Sequence, residues 1–247
     1  MIKFFRKIRY NLMETGKTGK YFKYAIGEIV LVVIGILIAL SINNWNEERK
    51  TRLLENSYNQ SIKNDLKGDH ETIEYIINKT KLVIEAHELF MEQLKSFDTI
   101  TDSRPLYALM MDNNGFPDLK VGDNTIETLK NSGNIEIISS KPVRQYIQYY
   151  YDTVEIIYLQ QGFMNSININ YTMGKFFNYL ECEKGIENNT KVPFDDRARE
   201  NLPDTYASLI HWVDNLKWYV TLLERLDKRN TALIDLINSN YPEKLND

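Results

Sequence analysis

Few residues of the kind that carry out chemistry occur in this sequence, and they lie far apart. There are three histidines, His70, His87 and His211, and one cysteine, Cys182. A single cysteine excludes an internal disulfide and any metal cage built from cysteines. His70 and Glu74 share a helix face, but neither belongs to the Glu-x-x-His pair that di-iron bundles use. We therefore expect His70 on a solvated face, His87 partly buried with a satisfied hydrogen bond, and His211 facing outward.

Known catalytic motifs do not appear either. Residues 16–20, GKTGK, contain the end of a phosphate-binding loop, but that motif requires glycine at position 11, which is asparagine. The chain contains no Gly-x-Ser-x-Gly and no His-Glu-x-x-His. We expect that the protein is not an enzyme, and that it has no catalytic, cofactor-binding or metal-binding residues.

A cluster of tyrosines in one predicted helix has two interpretations. Its members are Tyr146, Tyr149, Tyr150, Tyr151 and Tyr158. Tyrosine is common at protein interfaces, which favours a binding site. Helical spacing favours a simpler interpretation, in which Tyr150 packs in the core while its neighbours cover the surface. We adopt the second interpretation.

Long helices must position these residues, because apolar residues recur at steps of three and four through most of the chain. The spacing predicts one helix over 44–95, kinked near Gly68, and a shorter helix over 104–112. Another begins after Ser140, which caps it, and bends around Gly162 or Asn165. Residues 182–196 are expected to form a polar loop. No strand alternation competes, so the fold class is all-α, with long helices in a bundle outside the membrane.

The last helix, predicted over 204–240, has the most regular period outside the anchor. Its seam steps alternately by three and four residues: Leu209, Trp212, Leu216, Tyr219, Leu223, Leu226, Asn230, Leu233 and Ile237. Asn230 is the polar member of this seam. Because a polar seam residue fixes register at a cost in stability, we expect Asn230→Leu to raise the melting temperature.

Residues 24–42, YAIGEIVLVVIGILIALSI, are predicted to form a single transmembrane helix. At about 1.5 Å per residue they cover about 28 Å, the thickness of a hydrocarbon core. Glu28 is their one ionisable residue, and Gly35 and Ala39 are small enough to let another transmembrane helix approach. Trp45 follows and suits a membrane–water interface. A cleavable signal peptide is the alternative, but the long basic region before the apolar run favours a retained anchor.

Charge predicts the orientation. The tail, residues 1–23, has Glu14 as its one acid and seven basic residues, and a short basic flank stays in the cytoplasm: Lys3, Arg6, Lys7, Arg9, Lys17, Lys20 and Lys23. The rest of the chain has 23 of the 30 basic residues and 33 of the 34 acidic residues, so it is acidic. Nucleic acid is therefore not an expected partner. Residues 1–13 could form a helix on the anionic inner leaflet or a disordered tail, and both remain open.

The segment YAIGEIVLVVIGILIALSINNWNEERK, together with TLKNSGNIEII at 128–138, resembles a family of unknown function. Its members are small, N-terminally anchored, single-pass inner-membrane proteins of Bacteroidota-type Gram-negative bacteria. The resemblance implies a Gram-negative inner-membrane setting and a periplasmic domain, which we place over residues 43–247. It implies no catalytic residues.

Two functions follow as expectations. The first is a membrane-anchored periplasmic helical module that acts by protein–protein contacts, as a scaffold or accessory subunit, with a protein partner or a second copy beside the lipid bilayer. The alternative is a small-molecule sensor with residues 113–140 as its lid, signalling through a partner protein. A deep polar cavity would favour the sensor, and a dry core with an exposed aromatic patch would favour the scaffold.

Overall fold

The computed structural model describes residues 6, 10, 18–167 and 169–242. These residues form helices and no strand, so the protein is all-α as predicted. Apart from Arg6 and Tyr10, the basic segment 1–13 lies outside the described residues. The helices are α1 (Thr18–Leu94), α2 (Arg104–Asp112), α3 (Asn124–Asn131), α4 (Lys141–Ser166), α5 (Ile169–Phe176), α6 (Tyr179–Glu187) and α7 (Asp196–Asn240), with short 3₁₀ turns at Phe97–Thr99 and Ile135–Ile137.

The chain divides into two compact units, Met1–Asn56 and Ser57–Asp247. The first unit contains the apolar part of α1. Among the described residues, the stretch Ala25–Leu94 is the helix long and apolar enough to cross a membrane. Its most apolar window has a mean hydropathy of 2.8, and none of that window is buried. This helix is therefore a candidate membrane span.

The second unit is built on three long helices: residues 57–94 of α1, then α4, and α7. Asn230 of α7 donates to the carbonyl of Leu66 at 2.7 Å, and Lys217 pairs with Glu88 at 2.6 Å. Residue numbers thus rise along α1 as they fall along α7, so these two helices are antiparallel. Contacts from Asn240 to Ser140 and from Asn215 to Gln160 show the same relation between α7 and α4.

The core lies between these helices. Every apolar member of the predicted α7 seam is buried, from Leu209 to Ile237. α1 contributes Ile62, Leu66, Ile73 and Ile76, and each such buried side chain stabilises the fold by about 1.5–3 kcal/mol. An aromatic cluster continues the core where α1 ends, made by Phe90, Phe97, Phe176, Phe177 and Phe194.

Two predicted helix boundaries are corrected. The anchor and the helix predicted over 44–95 form one continuous helix, because no Pro or Gly separates them to end it. α7 begins at Asp196 rather than at 204, with Asp195 as its cap, whose side chain accepts from Ala198 N at 2.9 Å. Pro203 lies inside that helix, although proline usually marks a boundary.

The polar loop predicted over 182–196 is wrong in its first part, since residues up to Glu187 belong to α6. The side chain of Asn178 caps this helix, and Cys182 and Gly185 are buried on its inner face. The polar composition of the segment reflects its exposed face, so composition alone suggested a loop.

Candidate functional site

The outward face of α4 exposes a stripe of large apolar side chains. Tyr149, Ile156, Leu159 and Phe163 are 49%, 52%, 75% and 55% exposed, and we call these four residues the α4 stripe. Steps of seven, three and four place them on one helix face. The other face of α4 already packs in the core through Val143, Ile147, Tyr150, Val154, Ile157 and Met164. α4 is thus apolar on two sides, and only one side is covered.

Opposite charges border the two edges of the α4 stripe. Glu155 is exposed on the edge away from α7, and the exposed Asp152 lies within the stripe itself, between Phe163 and Leu159 around the helix. On the other edge, α7 supplies Arg225 and Arg229. The guanidinium of Arg229 lies 3.7 Å from the ring centroid of Tyr149, and the Nη2 of Arg229 donates to the Tyr149 hydroxyl at 2.6 Å.

A second exposed apolar row lies on α1, at Tyr75, Leu82 and Leu89. It differs from the α4 stripe in its neighbours, because two charges on its α7 side have ionic partners on α7. Lys81 pairs with Glu224 at 3.1 Å, and Glu88 pairs with Lys217.

A buried carboxylate joins the long helices at the middle of the bundle. Asp69 of α1 is 2% exposed. Its Oδ1 accepts from Gly122 N at 2.6 Å and its Oδ2 accepts from the Tyr150 hydroxyl at 2.8 Å. Burial raises the pKa of Asp69 from 3.8 to about 6, the bonds from Gly122 and Tyr150 oppose the rise, and the charges of Asp65 and Asp123 add to it.

Asn230 of α7 completes this network. Its Nδ2 donates to Leu66 O and lies 3.5 Å from the hydroxyl of Tyr150. Its Oδ1 has no hydrogen-bond partner among the described residues. The predicted interior position of Asn230 is confirmed, and the side chain ties α7 to both α1 and α4.

Tyrosines of α4 and α7 hold a segment without regular secondary structure, residues 116–123, which we call the strap. The Tyr219 hydroxyl accepts from Leu119 N and donates to Pro117 O, at 3.2 and 3.1 Å. Tyr158 accepts from Val121 N, and Tyr151 donates to Gly122 O at 3.1 Å. Sequence reasoning placed Tyr150 in the core correctly, but missed that its neighbours satisfy the backbone of a distant segment.

A second polar node fixes α2 to α6. Arg104 forms an ion pair with Asp102 at 2.8 Å, and its Nη1 donates to Gly185 O at 2.9 Å. Ser103 donates to Val192 O at 2.8 Å, beside the buried thiol of Cys182. Burial raises the pKa of that thiol. Burial thus disfavours the thiolate form of Cys182, and we call this node, which ties α2 to α6, the clasp.

A cleft of about 320 Å³ lies between α5 and α7. Its lining is polar and mostly exposed, formed by Lys175, Asn201, Asp204, Thr205, Ala207, Ser208 and His211. Another, of about 270 Å³, lies beside α6 and the segment 188–195.

The histidines lie apart. His70 Nδ1 is 2.6 Å from Asp227 Oδ1 on a largely exposed face, and this bond raises the pKa of His70. His87 has the predicted hydrogen bond, its Nδ1 lying 2.8 Å from Val83 O, but it is fully rather than partly buried. His211 is exposed, as predicted. Within the described part of the chain, no three His, Cys, Asp or Glu side chains come together as a metal site.

The site residues predicted for the membrane segment all lie on α1. Steps of seven and four place Glu28, Gly35 and Ala39 on one side of the helix. A Cβ added at Gly35 would meet no atom within 4 Å, and Trp45 is exposed. Gly35 therefore leaves space beside α1 within the described chain, and a contact of this side with another helix stays a prediction.

The described chain thus defines an all-α protein with one candidate membrane-spanning helix, a packed helical unit and an exposed apolar stripe. It belongs to the family of unknown function DUF6090, whose model matches residues 28–198. No curated protein and no solved structure matches it. The matched region contains Asp69, the strap and the α4 stripe, but ends within the first turn of α7.

Proposed function

We propose that this protein is a membrane-anchored helical module that acts by protein–protein contacts, as a scaffold or accessory subunit. The observation that carries the proposal is the α4 stripe. Monomeric soluble proteins rarely leave contiguous large apolar patches exposed, and such patches mark interaction sites. Leu159, at 75% exposure, lies within the stripe.

The anchor supports a setting at the inner membrane, with the N-terminus in the cytoplasm and the helical unit in the periplasm. The basic tail and Trp45 support that orientation. In this setting Glu28, Gly35 and Ala39 are the residues through which the anchor contacts another transmembrane helix.

The interior of the unit supports contact rather than catalysis. The core between the long helices is mostly apolar, although polar side chains outside the network at Asp69 are also buried, among them Thr80, His87 and Gln161. The strap, part of the segment considered as a lid, is held by hydrogen bonds from α1, α4 and α7. A lid anchored by so many bonds opens at a large cost.

A small-molecule sensor is the second candidate, and the cleft between α5 and α7 supports it. A volume of about 320 Å³ falls in the range of ligand sites, although such sites are mostly apolar. Filling the cleft by Ser208→Trp should abolish the function of a sensor and leave that of a scaffold unchanged.

Site-specific photo-crosslinking in intact membranes tests the leading proposal. A photo-activatable amino acid replaces Leu159 in the full chain, and the control replaces Lys228, which is exposed on α7 away from the stripe. We expect a protein adduct from position 159 and none from position 228. The absence of any protein adduct at position 159 contradicts the proposal.

A further inference from the structure

The charges beside the α4 stripe are arranged so that two copies of the chain complement each other. α4 has no Lys or Arg after Arg144, and its exposed acids are Asp152 and Glu155. The opposite edge of the stripe is bordered by Arg225 and Arg229 of α7. One edge is therefore acidic and the other basic.

The two edges are also at the same height along the bundle. Arg229 donates to Thr153 Oγ1 and to Tyr149, and Asn215 pairs with Gln160. These contacts set the register of the antiparallel pair α4 and α7. Arg225, one turn from Arg229, consequently lies near the level of Asp152 and Glu155.

The charged groups within the stripe and on both edges have no ionic partner within the described part of their own chain. Among the ion pairs of the described residues, none includes Arg225, Arg229, Asp152 or Glu155. Arg225 stacks over the exposed ring of Trp218 at 5.4 Å, and Asp152 accepts from Gln148 at 2.6 Å. Their charges remain available to another molecule.

Symmetry selects one arrangement of two copies. If two α4 stripes face each other in antiparallel directions, like edges meet, and acid faces acid. If they face each other in parallel, the acidic edge of each copy meets the basic edge of the other. A two-fold contact is self-complementary only in the second case. Tyr149, Ile156 and Phe163 are each seven residues apart. In the parallel arrangement, each of them therefore lies at the level of the same residue in the other copy.

We propose that the α4 stripe binds a second copy of this chain, in a parallel two-fold dimer in which Glu155 of one copy faces Arg225 and Arg229 of the other. This rests on the proposed function, since it names the partner that the stripe contacts. The apolar side chains of the two facing stripes supply the affinity. The opposite charges at their edges determine the parallel orientation and the register.

The crosslinking at position 159 separates the two proposals. An adduct with the mass of two chains of 29.1 kDa each supports the dimer. An adduct of another mass, without the double-chain product, overturns the dimer and leaves the proposed function standing. The absence of every protein adduct overturns both.

A charge exchange tests the parallel pairing directly. Full-length chains with two different tags are co-expressed, and the fraction that co-purifies is measured. Glu155→Lys in both chains places an ammonium group against Arg225, and Arg225→Glu in both chains places a second carboxylate against Glu155, so each should reduce co-purification about tenfold. One chain carrying Glu155→Lys with the other carrying Arg225→Glu restores an opposite-charge contact and should restore co-purification. Glu74→Lys, on the exposed face of α1, is the matched control and should change nothing.

Folding is monitored separately, because an unfolded variant also loses its partner. Glu155 and Arg225 are exposed, so the thermal unfolding midpoints of the single variants should equal that of the unmodified chain. Undiminished co-purification of the single variants overturns the proposal. Failure of the mixed pair to recover, with both chains folded, also overturns it.

Discussion

The hydroxyl of Tyr150 donates a hydrogen bond of 2.8 Å to the buried carboxylate of Asp69, and so joins α4 to α1 at the centre of the bundle. Asn230 reaches the same hydroxyl from α7. Asp69 also accepts from Gly122 of the strap. Asp69 therefore connects α1, α4 and the strap directly, and α7 joins this network through the hydroxyl of Tyr150.

Stability should fall as pH rises through the titration of Asp69. Its folded pKa of about 6 lies above the ordinary 3.8, so between these values the folded chain binds more protons than the unfolded chain. This contribution to the free energy of unfolding, on the order of 3 kcal/mol, is complete below pH 4 and is lost as pH approaches 6. Asp69→Asn removes this dependence. Urea unfolding from pH 4 to 8 should therefore show the variant gaining relative to the unmodified chain up to pH 6. A constant difference across that range contradicts the prediction.

Asn230→Leu should lower the stability, by about 1–3 kcal/mol. The sequence alone predicted the opposite, because a polar seam residue without a specific partner destabilises. The structure places Asn230 Nδ2 2.7 Å from Leu66 O, and leucine cannot replace that bond. A double-mutant cycle with Tyr150→Phe is the check, and the two changes should be non-additive. A raised melting temperature for Asn230→Leu would show that the hydrogen bond to Leu66 O makes no net contribution to stability.

Gly185→Ala should destabilise the clasp between α2 and α6 by about 1–3 kcal/mol. The added Cβ would lie 2.4 Å from Val192 Cγ2 and 2.9 Å from Thr190 O, so the segment 190–192 must move. Gly68→Ala is the matched control. No atom lies within 4 Å of a Cβ at Gly68 inside α1, and alanine there should stabilise by up to about 1 kcal/mol. Equal thermal shifts for the two variants would contradict the close approach at Gly185.

A reporter fused after residue 60 should report the periplasm, and one fused after residue 15 should report the cytoplasm. The basic tail before the candidate membrane span is the reason. Alkaline phosphatase and a fluorescent protein, active on opposite sides of the membrane, make the measurement. Opposite signals at the two positions would reverse the orientation.

Glu28→Gln and Gly35→Leu should each reduce co-purification of a membrane partner or of a second tagged copy, without reducing membrane insertion. Gly35 leaves space beside α1 within the described chain, where leucine would hold another helix away. Leu37→Ala, on a different side of the same helix, is the control. If both variants retain every partner of the unmodified chain, this segment serves only as an anchor.

The sequence by itself determined the helices and their inward faces. The period of α7 predicted a buried seam from Leu209 to Ile237, and the spacing of α4 placed Tyr150 inside, because each pattern is set within one helix. The candidate membrane span followed from composition alone, for the same reason. Local patterns failed at α6, where polar residues on the exposed face of a helix resembled a loop.

Only the tertiary structure decided which side chains meet across helices. Asp69 and Gly122 are 53 residues apart, and Arg229 and Tyr149 are 80 apart. Periodicity reports which face of a helix turns inward, but not the register of one helix against another or the path of the strap between them. The network at Asp69 and the charged edges of the α4 stripe depend on that register, which is set by packing of the whole bundle.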